Sequence, residues 1–208
     1  MTDRLIERSL RAFSEDLASD AAVPGGGSAA AYAGVLGAAL ASMVGRIAER
    51  KDKSEPTATF IGEAENLRGD FLRLVDDDSA AYARVAEAMT LPKVTDAEKR
   101  ARKERMQAAL LAASRVPLEI AKTGRRLLDA CERGAATASA ATVSDIGVAA
   151  IMGDAAIRGA ALNVIINLAS VKDAAQVKAL SDDLDRAVDG AEEQRRRIIE
   201  FVESRIAR

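Results

Sequence analysis

Three runs of residues have types and spacing that bear on chemistry: the aspartates Asp76-Asp77-Asp78, the glycines Gly25-Gly26-Gly27 ending in Ser28, and the asparagines Asn163 and Asn167. They must act without histidine, of which the chain has none. That absence excludes a Ser-His-Asp triad, a histidine-assisted cysteine and any histidine-ligated zinc site. Proton transfer in an enzyme of this sequence falls to Asp, Glu, Lys, Tyr or water.

The aspartate run lies within a helical pattern. Three adjacent residues on a helix spread over about 200° of its surface, so at least one of the carboxylates must face surroundings different from the others. Asp78 and Tyr82 are four apart and share a face with the apolar stripe. A carboxylate there is desolvated and has the shifted pKa of a tuned base. The same run also fits three solvated surface groups. The glycine run leaves backbone N–H groups uncovered just before an Ala/Gly-rich stretch. A helix beginning there turns its unpaired amides and the positive end of its dipole toward an anionic or carbonyl-rich ligand. Alternatively, the glycines only turn the chain between two packed helices. With no strand before it, the run is neither a P-loop nor a dinucleotide fingerprint. Asn163 and Asn167 share a helical face, and their amides can read the edge of a heterocycle or satisfy a neighbouring helix. The basic run Lys99 to Arg105 is a solvated helix face or an attractor of a polycarboxylate. Asp145, after Ser144, is a helix-start residue or a second acid, and Cys131 reads as inert packing.

The elements that must position these groups are helices. Hydrophobic residues make up 49% of the 208 positions and aromatics only 3%, so the core is built from Ala, Leu, Val and Ile. Residues 3–19 carry the stripe Leu5, Ile6, Leu10, Phe13 and Leu17. A second helix follows the glycines, with Ser28 as its N-cap, and reaches about residue 49. A third spans about 57–88, with Phe60, Ala64, Leu67, Phe71, Leu74, Val75 and Tyr82 inward. Thr95-Asp96-Ala97-Glu98 is a capping box and starts a fourth helix, which contains Pro117 and stops near Gly134. A fifth runs from Ser144-Asp145 to about Leu168. One last amphipathic helix occupies the C-terminus. The expected fold is all-α: an antiparallel bundle of long helices with a core rich in small residues, in a single domain over 1–208.

The net charge of −2 offers no general attraction for nucleic acid. The uncharged stretch between Asp20 and Arg46 is dominated by Ala and Gly, and reads as a buried helix rather than a membrane span. One cysteine and no signal-peptide pattern point to the cytoplasm.

Six pieces in order resemble the formiminotetrahydrofolate cyclodeaminase/methenyltetrahydrofolate cyclohydrolase family. They are Pro24 to Ser28 with its helix ending Ser42-Met43-Val44; Asp76-Asp77-Asp78; Leu91-Pro92-Lys93; Val116-Pro117-Leu118-Glu119; Val143 to Val148; and Leu162 to Asn167. The resemblance implies an all-α homodimer and a reduced folate as substrate, and nothing in the sequence suggests a metal or a prosthetic group. It implies one of two reactions: hydrolysis of 5,10-methenyltetrahydrofolate to 10-formyltetrahydrofolate, or loss of ammonia from 5-formiminotetrahydrofolate to give the methenyl compound. The cyclodeaminase often occurs fused to a formiminotransferase domain. No such domain is seen in this sequence, so the stand-alone cyclohydrolase is favoured. A non-catalytic folate binder and a purely structural helical dimer are the competing classes. On the catalytic reading, Asp78 is the first candidate for the base and Asp145 the second. Gly25, Gly26, Gly27 and Ser28 offer donors to the ligand, Tyr82 shares their cleft, Asn163 and Asn167 hold the pterin, and Lys93 meets the glutamate carboxylate.

Overall fold

The computed structural model describes residues 4–51 and 53–207. Four long helices form the bundle: α2 (Gly26–Glu49), α3 (Glu55–Thr90), α4 (Asp96–Gly134) and α5 (Val143–Leu168). A 3-10 turn (Leu5–Glu7) and α1 (Leu10–Leu17) precede them, and α6 (Ala174–Val188) and α7 (Ala191–Ile206) follow. Among the described residues there is no strand.

Short connections make successive long helices antiparallel neighbours. The cycle closes with α5 against α2, which brings the start of α2 beside the end of α5. Small residues permit this closure. A Cβ at Gly34 would collide with the Phe71 ring, and one at Gly37 would lie 2.9 Å from the Ala149 carbonyl. The core is the expected one of Ala, Leu, Val and Ile with the two phenylalanines Phe60 and Phe71. Helices α2 and α5 are long and apolar enough to cross a membrane by length and composition alone, yet 61% of the apolar window of α2 is buried inside the bundle.

Several local expectations hold. The Thr95 hydroxyl accepts from the Glu98 amide at 3.2 Å, and the Glu98 carboxylate accepts from the Thr95 amide at 2.8 Å, completing the capping box. Helix α4 ends at Gly134. Others are corrected. The N-terminal stripe is broken at Ser9, which caps a separate α1. Only Leu5, Ile6 and Phe13 pack on the core, while Leu10 stays 70% exposed. The C-terminal helix is two helices, because Gly190 adopts φ 69° and opens α7 from the left-handed region. Tyr82 is not a core residue but stands 40% exposed.

Candidate active site

One end of the bundle gathers the start of α2, the middle of α3 and α4, and the last turns of α5. They enclose a cavity of about 290 Å³ lined by Ala22, Val23, Gly25, Gly26, Gly27, Asp78, Tyr82, Ala113, Asn163, Ile166 and Asn167. Residues up to 145 positions apart thus meet at one place.

The three aspartates take three different environments, where helix geometry requires only that one differ. Asp76 holds the N-terminal segment, accepting from Arg4 Nε at 3.0 Å and from the Leu5 amide at 2.9 Å. Asp77 pairs with Arg73 at 2.8 Å on the exposed side. Asp78 alone turns inward, against the backbone of Gly27. There it accepts from Ser28 Oγ at 3.0 Å and from the Ser28 amide, closing the N-terminus of α2 from another helix. Gly25, the N-cap residue, offers no side chain for that task. Burial raises the Asp78 pKa above its ordinary value, and the Ser28 hydroxyl and amide offset part of the rise.

Ser28 is therefore not the N-cap and not a donor to a ligand. It sits within α2, fully buried beneath Asp78, with Val75 O at 3.1 Å and Ser79 Oγ at 2.9 Å as its other neighbours. The amides of the preceding glycines remain at the cavity floor. A Cβ on Gly26 would lie 3.3 Å from Asn163 Nδ2, so the glycine run and the asparagine pair face each other directly.

The two asparagines do not bond each other. Asn163 Nδ2 donates to Gly159 O at 2.8 Å within its own helix. Asn167 Nδ2 donates to Ala113 O of α4 at 2.8 Å. That carbonyl is available because Pro117, four residues on, has no N–H to offer it. The proline inside α4 and the asparagine on α5 are thus one device, which fixes the Asn167 amide at the cavity wall. Each asparagine keeps its carbonyl oxygen for a ligand.

The structure separates two expected residues from this cavity. Asp145 lies in the first turn of α5, eighteen residues before Asn163 on the same helix, about 27 Å at the helical rise. Lys93 lies in the α3–α4 turn and lines a different hollow of about 300 Å³, with Lys99, Arg102, Lys103, Met106, Gln107 and Lys172. The basic run and Lys93 thus converge into one cationic pocket. Sequence reasoning missed Ser79, which touches Ser28, and Ile166 at the cavity rim; a lone serine and a periodic isoleucine give no signal of their own. Cys131 is buried and its thiol is pushed up to about 12 by burial, which makes it inert.

Comparison with known proteins bears on the sequence and the fold. The family model for formiminotransferase-cyclodeaminase matches residues 9–186. The chain is 36% identical over 202 residues to a methenyltetrahydrofolate cyclohydrolase of Methylorubrum extorquens, covering 95% of this chain and 97% of the relative. It is 37% identical over 173 residues to the formimidoyltransferase-cyclodeaminase of Mus musculus, and 33% identical over 207 residues to that of Gallus gallus. It spans 32% and 38% of those longer proteins and 81% and 98% of itself. The crystal structure of formiminotetrahydrofolate cyclodeaminase from Thermotoga maritima superposes with a TM-score of 0.84 over 95% of this chain and 97% of that one, at 24% identity, which supports the fold. By the family model over most of its length and by relatives more than 30% identical to it, the chain belongs to the formiminotransferase-cyclodeaminase family.

Proposed function

We propose that the protein hydrolyses 5,10-methenyltetrahydrofolate to 10-formyltetrahydrofolate. The observation that carries the reading is Asp78, a half-buried carboxylate raised in pKa at the floor of a histidine-free cavity. The methenyl substrate is a cation delocalised over N5, the bridging carbon and N10. An ionised Asp78 attracts that charge in a partly desolvated site. It then takes a proton from the water that attacks the bridging carbon, returns one to N5 as the C–N5 bond opens, and receives the remaining hydroxyl proton as the formyl C=O forms. The glycine amides and the free carbonyls of Asn163 and Asn167 suit the polar edge of a pterin, and the Tyr82 ring suits its face. The cavity fits the ring system rather than a whole folate. The tail then runs along α4 toward the cationic pocket of Lys93, which starts six residues before Ala113, about 9 Å along the helix.

The cyclodeaminase reaction would use the same carboxylate to move a proton toward departing ammonia. The cyclohydrolase is preferred because the relative matched over 97% of its length carries that name. The test follows the loss of methenyl absorbance with purified protein, beside a parallel run on 5-formiminotetrahydrofolate. Acceleration of the first well above the buffer rate is expected. Acceleration of the second alone would transfer the assignment to the cyclodeaminase, and neither would leave a binding or structural protein.

We further propose a cytoplasmic homodimer. Helices α2 and α5 lie side by side and leave Leu36, Met43, Val148, Ile151, Leu162, Ile165 and Ile166 exposed, Leu162 and Ile166 by 69% each, with Arg46 and Arg158 on the same exposed sides. Apolar side chains left exposed along two packed helices mark a contact surface, and a two-fold pairing of this side would cover it on both copies. Ile166 also borders the cavity, so a second copy seated there would roof the site. Light scattering is expected to give twice the chain mass for the protein and the single chain mass for Leu162→Asp. A monomeric unsubstituted protein would contradict the dimer.

A further inference from the structure

Charge balance in the proposed hydrolysis, on which this inference rests, creates a transport problem. A cation and a water become a neutral formyl compound, so each turnover leaves one proton behind. That proton is left on Asp78, in a cavity that the substrate itself fills.

Two serine hydroxyls adjoin Asp78 in series. Ser28 Oγ lies 3.0 Å from Asp78 Oδ2 and 2.9 Å from Ser79 Oγ, and Ser28 is fully buried between them. Ser79 follows Asp78 on α3, about 100° further round the helix. It lines a second cavity of about 650 Å³, bounded by Arg4, Arg8, Asp16, Pro24 and Asp76. Val23 belongs to both cavities and stands between them. Two hydroxyls therefore join the half-buried carboxyl of the first cavity to the space of the second.

We propose that Ser28 and Ser79 form a proton exit that discharges Asp78 into the second cavity while substrate or product still occupies the first. The Asp78 carboxyl passes its proton to Ser28 Oγ as the Ser28 hydroxyl proton moves to Ser79 Oγ. The Ser79 hydroxyl proton passes in turn to a water in the second cavity. Each serine oxygen gains one proton and loses one, so the only net change is Asp78 ionised and one hydronium formed. Both hydroxyls then rotate back, and Val75 O, 3.1 Å from Ser28 Oγ, is an acceptor on that path. The acceptor in the second cavity is water, because the carboxylates there are engaged. Asp76 is held by Arg4 and the Leu5 amide, and Asp16 by Arg8.

Ser79 touches no ligand in this scheme, so its test needs a readout that packing alone would not move. Purified protein and the Ser79→Ala and Ser79→Thr variants are assayed on methenyltetrahydrofolate in H₂O and D₂O at several buffer concentrations. For Ser79→Ala, kcat is expected to fall about tenfold with KM within about twofold, the solvent isotope effect to rise, and added small buffer to restore part of the rate. Ser79→Thr keeps a hydroxyl on the same carbon and is expected to stay close to the unsubstituted protein. Two results would overturn the inference alone: Ser79→Ala at full rate, or a loss that neither buffer nor isotope substitution changes and that threonine shares. An unsubstituted protein without hydrolytic turnover would overturn the functional reading, and the exit with it.

Discussion

Asp78→Asn is expected to lower turnover of methenyltetrahydrofolate by about 10²–10⁴-fold while the bundle stays folded. The replacement keeps the shape of the side chain and an oxygen that accepts from the Ser28 hydroxyl and amide, so the closure of α2 survives. It removes the negative charge that attracts the substrate and the basic site that takes the proton. The neighbouring aspartates are internal controls. Asp77→Asn alters an exposed pair with Arg73 and is expected to leave turnover within about twofold. Asp76→Asn loosens the N-terminal segment and is expected to act on stability before rate. In the unsubstituted protein, turnover is expected to rise with pH through the raised Asp78 value, since only the ionised form is a base.

The same substitution is expected to raise the melting temperature at neutral pH, and the sign follows from linkage. Burial raises the folded-state pKa of Asp78 above its ordinary 3.8. Its proton is therefore held more tightly in the folded chain than in the unfolded one. Stability from this group is full below 3.8 and is lost as pH rises through the folded value. Asparagine never ionises and escapes that loss. The gain in melting temperature should therefore vanish below 3.8, where Asp78 is protonated in both states. A variant that is both fully active and no more stable than the original at neutral pH would remove Asp78 from the role of base.

How much of this site the sequence discloses depends on the range of the signal. The capping box at Thr95 and Glu98 is local, and it appears as read. That Asp76, Asp77 and Asp78 cannot all share one environment is also local, since 100° per residue demands it. What local reasoning cannot supply is which of the three faces α2. That is decided where α3 crosses the glycine run, at a distance of 50 residues in the chain. Ser28 was misread for the same reason. In sequence it has the look of an N-cap, but the cap is supplied by a carboxylate from another helix. Pro117 and Asn167 are each ambiguous alone. Only the antiparallel register of α4 and α5 shows that the missing N–H of one frees the carbonyl that anchors the other. Asp145 fails by simple length, because a straight helix carries it too far from the asparagines.

The three glycines are expected to respond very unequally to alanine, with Gly27→Ala losing about 10²-fold in turnover. A Cβ on Gly27 would stand 2.6 Å from Asp78 Oδ2 and closer still to the rest of that carboxyl, so the carboxylate must swing away. It then leaves Ser28 Oγ and the amide end of α2 as well as the substrate position. The effect on stability is expected to be within about 1 kcal/mol, because two terms oppose each other. Alanine favours helix over glycine by about 1 kcal/mol, and loss of the carboxylate cap costs about the same. Gly26→Ala meets only the Asn163 amide, at 3.3 Å, which can shift slightly, so an intermediate loss is expected. Gly25→Ala meets nothing within 4 Å, and its φ of −132° suits any residue, so turnover near the original is expected. A graded series, mild at Gly25 and severe at Gly27, means that the run exists to let Asp78 approach the helix end. Equal losses at all three would mean that the chain needs glycine there only to turn, and the contact between Asp78 and Gly27 would lose its place in the chemistry.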